Sequence, residues 1–114
     1  MSSIQKTLMS WNVWEINDKE LLNLILGRSG GKTTIQIIDL ILTGPHNKNQ
    51  IANALHLDYK TVSYHIHLFQ HHNYITEIKC ENIYFYHPSK KLFSSIEEYK
   101  LLREHILKDK RRKK

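Results

Sequence analysis

The chain has 114 residues, of which 40% are hydrophobic and 25% are charged, and this composition indicates one folded domain rather than a disordered protein. Its single cysteine, Cys80, excludes an internal disulfide and a four-thiolate zinc site. The net charge of +6 is concentrated in residues 108–114, where six basic residues face one acidic residue. Charge alone therefore does not identify the rest of the chain as a nucleic-acid binder.

The sequence carries no sign of export or of insertion into a membrane. Residues 1–6 lack the positive region and the following apolar region of a secretory signal. The most apolar stretches, residues 21–26 and 35–42, are far shorter than the ~20 residues of a membrane span. We therefore expect a cytoplasmic protein without a membrane partner.

The first 16 residues are compatible with either a helix or a strand. Ile4, Leu8 and Trp11 have helical spacing, whereas Trp11, Val13 and Glu15 alternate as in a strand. At Asn17 the pattern becomes clear, because Asn17 followed by Glu20 forms a capping box that predicts the start of a helix. Leu21, Leu22, Leu24, Ile25 and Leu26 follow, and Gly27 is a natural stop.

A second helix is predicted after the loop at residues 29–31. Thr33 is the expected cap of this helix, since its hydroxyl can accept from a free amide of the first turn. The helix carries Ile35, Ile37, Ile38, Ile41 and Leu42, and it ends before Gly44 and Pro45.

Two further helices follow at a short distance from each other. Asn47 and Gln50 form a second capping box and open a helix of about two turns that ends near His56. Asp58 is the expected cap of a longer helix over residues 59–72. On it, Val62, His65, Ile66 and Phe69 share an inner face, whereas Lys60, Ser63, Tyr64, His67 and His71 lie on the outer face.

The last part of the chain predicts a hairpin and a final helix. After Asn73, residues 74–87 alternate as two short strands around a turn at Glu81 and Asn82, and Pro88 ends the hairpin. Leu92, Ile96, Tyr99 and Ile106 then mark an amphipathic helix over residues 91–108. The expected fold class is mainly α with a small β-hairpin.

Two helices of unequal length joined by a short turn, followed by a hairpin, match a winged helix-turn-helix unit. Residues 47–75 read NKNQIANALHLDYKTVSYHIHLFQHHNYI, which resembles the ArsR-type winged helix-turn-helix regulators of archaea. The resemblance covers about residues 27–93. The matching positions are Gly30, Gly31, Thr33, Asn47, Asn49, Gln50, Ile51, Ala52, Leu55, Leu57, Asp58, Tyr59, Thr61, Val62, His65 and Ile66.

The sequence departs from the family at the helix ends and in the wing. His56 and Asn73 stand where the family often has glycine, and the turn at residues 81–82 is shorter than in many members. A shorter wing is expected to contact fewer phosphates.

The resemblance implies a regulator of transcription that binds double-stranded DNA, usually as a dimer. Apart from the resemblance, the outer face of the helix over residues 59–72 is suited to enter the major groove. A wing over residues 74–87 is suited to contact the DNA backbone. We expect DNA contacts from Asn47, Lys48, Asn49, Tyr59, Lys60, Thr61, Ser63, Tyr64, His67, Lys79 and Asn82. A protein-interaction module of the transcription apparatus is the alternative, because the near-neutral body also suits that role.

The expected organisation has four parts. Residues 28–90 form the winged helix-turn-helix domain, and residues 108–114 form a flexible basic tail that adds DNA affinity without sequence preference. Residues 1–27 and 91–107 carry apolar stripes that a winged domain does not need for its own core, so we expect them to join two copies in a homodimer.

Three other patterns are typical of catalysis, metal binding or nucleotide binding, and each lacks a part that the function requires. Ser63 and His67 lack an orienting acid, so we expect no enzyme activity. His67 and His71 supply two nitrogen ligands where a structural zinc takes four, so we expect no metal, cofactor or identifiable small-molecule ligand. Residues 30–33, Gly-Gly-Lys-Thr, resemble the end of a Walker A loop, but the first glycine of that motif is one place out of register.

Overall fold

The structure is a computed structural model that describes residues 13–108. Over this range the chain is mainly helical with one two-stranded antiparallel hairpin, as the sequence predicts. None of the helices in the described range is long and apolar enough to cross a membrane. A short 3-10 helix, Val13–Glu15, is followed by α1 (Lys19–Leu26), α2 (Gly31–Leu42), α3 (Lys48–Leu55), α4 (Tyr59–His71), β1 (Ile75–Cys80), β2 (Ile83–Pro88), α5 (Lys90–Ser94) and α6 (Ile96–Lys108).

One hydrophobic core joins all of these elements. The aliphatic face of α2 lies at its centre, where Ile35, Ile37, Ile38 and Ile41 are buried. Each neighbour contributes a stripe with the period of its own secondary structure. The other buried members are Val13, Ile16, Leu21, Leu22, Leu24, Ile25, Ile51, Ala52, Val62, Ile66, Phe69, Tyr74, Ile75, Tyr86, Leu92, Tyr99 and Leu102.

Helices α3 and α4 begin at the caps that the sequence predicts. Asn47 accepts from the amide of Gln50 at 2.8 Å, and the Gln50 side chain accepts from the Asn47 amide at 2.9 Å. Asp58 caps α4 by accepting from the amide of Thr61. His56 ends α3 in the left-handed conformation (φ 57°) that glycine normally adopts there.

The start of α1 differs from the prediction. Asp18, not Asn17, caps the helix by accepting from the amide of Leu21 at 3.0 Å. Glu98 of α6 takes the role predicted for Glu20, because its carboxylate accepts from the amides of Asn17 and Asp18, both at 3.0 Å. The capping box at Asn17 is therefore wrong, since a partner distant in sequence satisfies the amides that precede the helix.

The start of α2 also differs from the prediction. Thr33 lies inside the helix, which begins at Gly31 after Gly30 in the left-handed conformation (φ 89°). Gly31 has no room for a side chain, because a Cβ there would lie 2.8 Å from the carbonyl oxygen of Ile25. Close packing of α1 on α2, rather than a side-chain cap, thus sets the beginning of α2.

The hairpin pairs β1 with β2 around the predicted turn, with Glu81 in the left-handed conformation (φ 60°). Ile78 lies opposite Phe85, and Lys79 lies opposite Tyr84. In addition, His46 and Tyr86 exchange two backbone hydrogen bonds of 3.2 and 2.8 Å. This bridge holds the residues that precede α3 against β2.

The C-terminal part forms two helices instead of the single helix predicted over residues 91–108. The break falls at Ser95, whose hydroxyl donates to Asp18 at 2.7 Å. Leu92 and Tyr99 of the predicted dimer stripe are buried in the core of their own chain, and Ile96 and Ile106 pack against it. The homodimer stays a prediction, and residues 1–12 and 109–114 lie outside the described range.

Candidate functional site

The outer surface of α4 is polar and aromatic. Tyr59 is 50% exposed and Tyr64 is 57% exposed, and Lys60 and His67 are also exposed. The opposite face packs into the core through the four predicted residues Val62, His65, Ile66 and Phe69. The sequence prediction of an inner and an outer face on this helix is therefore confirmed.

One flank of α4 borders a cleft of about 330 Å³, here called the hairpin cleft. It lies between the first turn of α3, the start of α4 and the turn of the hairpin. Five of the eleven residues expected at the site line it, which are Asn47, Lys48, Asn49, Tyr59 and Asn82, together with Ile83, Tyr84 and Tyr86.

Lys48 is the central cation of the hairpin cleft. Its ammonium donates to the Ser63 hydroxyl at 3.0 Å and lies 2.9 Å from Nε2 of His67, which places two more predicted residues at this cleft. The ammonium also lies 5.8 Å from the ring centre of Tyr59 and 5.7 Å from that of Tyr86. α3 and α4 are thus joined through one lysine side chain.

The surroundings of Lys48 disfavour its charge. Burial lowers the pKa of Lys48 below its usual value, and the carboxylate of Glu77 offsets only part of this effect. Burial, together with the charge of Glu77, also raises the pKa of Tyr86 to about 12, so this tyrosine stays neutral. A lysine with a perturbed pKa in a cleft is a candidate binding group.

Lys79 lies near the hairpin cleft without lining it. Its ammonium stacks 5.6 Å above the ring of Tyr84, the residue opposite it in the hairpin. On the same face, Glu77 accepts from the Gln70 side chain of α4 at 3.2 Å. This face of the hairpin is therefore directed towards α4.

The other flank of α4 borders a second cleft of about 430 Å³, here called the loop cleft. Lys60, Thr61 and Tyr64 line it from α4, and the loop between α1 and α2 forms its second wall through Arg28, Ser29 and Gly30. On a helical wheel, Tyr59 and Ser63 lie on one side of the outer face of α4, and Thr61 and Tyr64 lie on the other. The two clefts therefore lie on either side of the surface predicted to meet DNA.

His65 forms the floor of the loop cleft and is only 6% exposed. Its Nδ1 lies 3.0 Å from the hydroxyl of Thr34 and 3.5 Å from a terminal nitrogen of Arg28. Burial lowers the pKa of His65, and the charge of Arg28 lowers it further. In a neutral ring with Nδ1 unprotonated, this nitrogen accepts from the Thr34 hydroxyl, and the longer contact with Arg28 shares the same lone pair, in agreement with the prediction of a hydrogen-bonded core histidine.

Arg28 is the most informative residue that sequence analysis missed. Its Nε donates to the carbonyl oxygen of Leu24 at 3.1 Å, and a terminal nitrogen donates to Thr34 at 3.3 Å. The guanidinium carbon lies 5.7 Å from the ring centre of Tyr64. The only sequence signal was an arginine directly before a Ser-Gly-Gly loop, and its proximity to α4 depends on how α1 packs.

Metal-ligating side chains are dispersed in the described residues. Within residues 13–108 no three His, Cys, Asp or Glu side chains lie close enough to hold one ion. Cys80 is a free, exposed thiol at the end of β1.

A scan against protein-family models and a search of curated proteins give no match to this chain.

Proposed function

We propose that this chain is a winged helix-turn-helix protein that binds double-stranded DNA sequence-specifically and regulates transcription. In this proposal α3 and α4 form the helix-turn-helix, α4 is the recognition helix, and the β1–β2 hairpin is the wing. The observation that carries it is the exposed outer face of α4 between two clefts that each contain cationic side chains.

Cations on both flanks of α4 fit the dimensions of the major groove of DNA. The major groove of B-DNA is about 12 Å wide, and a helix with its side chains is about 10–12 Å across. A helix that fills the groove therefore has a phosphate backbone on each side. Lys48 in the hairpin cleft places a cation at one of these sides, and the loop cleft, which also contains cationic side chains, lies at the other.

Base contacts would come from the first turns of the recognition helix. Lys60 and Tyr64 are exposed near its N-terminus, the end that usually approaches the base edges. A lysine can donate to the acceptors of guanine, and the tyrosine ring can contact a thymine methyl group. The asparagines at the start of α3 offer donors to the adjacent backbone.

A salt titration of binding to a short random-sequence duplex tests the proposal. With one phosphate contact in each cleft, log affinity should fall with log salt with a slope of about −1.8 or steeper. Competition between the random pool and duplexes selected from it should then show a preference for particular sequences. Absence of binding to the random duplex at low salt would refute DNA binding by this chain.

The outer face of the hairpin favours a second candidate function, a protein-interaction module of the transcription apparatus. Ile78 and Ile83 are 42% and 48% exposed, and the register places them with Cys80 and Phe85 on the strand face opposite to Glu77 and Lys79, although Ile83, next to the turn, also borders the hairpin cleft. Such an apolar face is unusual for a surface that meets only phosphates. Failure of the salt titration would favour this second function.

The predicted homodimer has its own test. Two recognition helices related by a two-fold axis should lie about 34 Å apart and bind a pseudo-palindromic site. Sedimentation velocity at micromolar concentration should therefore give the mass of two chains, either for the free protein or on the selected duplex. A single chain per particle in both measurements would contradict the homodimer.

A further inference from the structure

The loop cleft contains an arginine that has no part in the predicted set of DNA contacts. We propose that this cleft is a second phosphate site, in which Arg28 binds the DNA strand across the major groove from the strand at the hairpin cleft. The proposal rests on the proposed function, and it adds a residue and a strand assignment to it.

The guanidinium of Arg28 is held in one orientation by its own chain. The carbonyl oxygen of Leu24 fixes Nε, while Thr34 and His65 fix one terminal nitrogen. Within residues 13–108 the other terminal nitrogen donates no hydrogen bond, although an arginine has five N–H groups in total. An oriented guanidinium with free donors is suited to a phosphate, which arginine recognises through paired hydrogen bonds.

The walls of the cleft agree with an anionic ligand. Lys60 adds a second cation from α4, and no acidic residue lines the cleft in the described part of the chain. Asp58, two residues before Lys60, is occupied at the start of α4, where it accepts from the amide and the hydroxyl of Thr61 at 3.3 and 3.0 Å. The local charge of the cleft is therefore positive.

The loop also leaves space for a backbone to approach. Gly30 lies at φ 89°, and a Cβ there would be 3.4 Å from the ring of His65 at the floor of the cleft. Ser29, next to it, is exposed. Small residues at both positions keep the guanidinium within reach of a phosphate.

A charge-matched pair of variants measures the phosphate contact. In Arg28→Gln the slope of log affinity against log salt, measured on a random-sequence duplex, should be reduced by about 0.9, the value for one phosphate contact. Arg103→Gln removes the same charge from α6, where the arginine pairs with Asp39 at 2.8 Å, and should leave the slope unchanged. Equal slopes for wild type, Arg28→Gln and Arg103→Gln would overturn the proposal.

Arg28 also supports the loop between α1 and α2. A second pair of variants therefore leaves Arg28 in place. Ser29→Glu places a negative charge at the exposed edge of the cleft, and it should weaken binding at low salt about fivefold, the effect of two like charges near contact in water. Ser94→Glu makes the same change at an exposed serine of α5 and should bind as the wild type does. If both serine variants bind equally, the cleft does not contact DNA.

The outcomes separate this proposal from the one on which it rests. A wild-type protein that fails to bind duplex DNA refutes the proposed function itself. A wild-type protein that binds with a steep salt dependence, while the variants at residues 28 and 29 match their controls, refutes only the second phosphate site.

Discussion

Replacing Lys48 with methionine should weaken binding to duplex DNA by about 1–3 kcal/mol, the usual effect of removing one lysine or arginine contact. The ammonium lies in the hairpin cleft between α3 and α4, within 3.0 Å of Ser63 and 2.9 Å of His67. A bound phosphate would replace these partners with an anion, which forms a stronger, charge-assisted hydrogen bond. Fluorescence anisotropy on one selected duplex measures the change.

The same substitution should leave the stability of the protein nearly unchanged. The folded state lowers the pKa of Lys48, so folding disfavours its charge, and this cost is present below the folded pKa and is relieved at higher pH. Methionine keeps the apolar stem against the rings of Tyr59 and Tyr86, while the two hydrogen bonds of the ammonium are lost. These effects oppose each other, so the free energy of unfolding should change by less than about 1 kcal/mol.

A loss of DNA affinity without a loss of stability in Lys48→Met distinguishes a binding residue from a structural one. Lys100→Met is the matched control, because Lys100 is exposed on α6, where it pairs with Glu97 at 3.6 Å. It removes the same charge and should change neither affinity nor stability. If Lys48→Met unfolds at a much lower temperature while DNA binding per folded molecule is kept, Lys48 is a structural link and not a phosphate ligand.

The sequence predicts those parts of the site whose structure depends on residues close to each other along the chain. The caps at Asn47 and Asp58 depend on residues three positions away, so their geometry follows from the order of side chains alone. The inner and outer faces of α4 follow from helical periodicity in the same way. These local rules place α3, α4 and the hairpin turn correctly.

The parts that the sequence does not predict have partners far along the chain. The amides of Asn17 and Asp18 are satisfied by Glu98, which lies 80 positions after Asp18, so no local pattern could show that Glu98 takes the role predicted for Glu20. Arg28 reaches the flank of α4 because its loop packs on His65, 37 positions away. The environment of Lys48 likewise exists only once α3, α4 and β2 are assembled.

Asp18 links α1 to the rest of the domain, and its removal should cost more stability than the loss of an ordinary helix cap. Its carboxylate accepts from the Tyr74 hydroxyl at 2.7 Å, the Ser95 hydroxyl at 2.7 Å and the Leu21 amide at 3.0 Å. Hydrogen bonds to a charged group contribute about 1.5–3 kcal/mol each, and bonds to one shared group are not additive. We expect Asp18→Ala to lower the free energy of unfolding by about 2–4 kcal/mol at neutral pH.

The effect of Asp18 should also depend on pH in a defined direction. Burial raises the pKa of Asp18, but the hydrogen bonds from Ser95, Tyr74 and Leu21 outweigh burial and hold the pKa below its ordinary value of 3.8. A carboxyl with a lowered folded pKa stabilises the protein above its unfolded pKa, and this contribution is lost as the pH falls through the folded value. The stability difference between wild type and Asp18→Asn should therefore be full at pH 6 and shrink below about pH 4.

Asp58 provides the comparison for this prediction, because it also caps a helix, and within residues 13–108 it accepts only from Thr61 in its own turn. Asp58→Ala should cost about 1 kcal/mol, the usual value for a lost cap. Urea unfolding of wild type, Asp18→Ala, Asp18→Asn and Asp58→Ala between pH 3 and pH 7 measures both effects. If Asp18→Ala costs no more than Asp58→Ala, or if the difference between wild type and Asp18→Asn does not change with pH, the bonds from Tyr74 and Ser95 to Asp18 do not stabilise the fold.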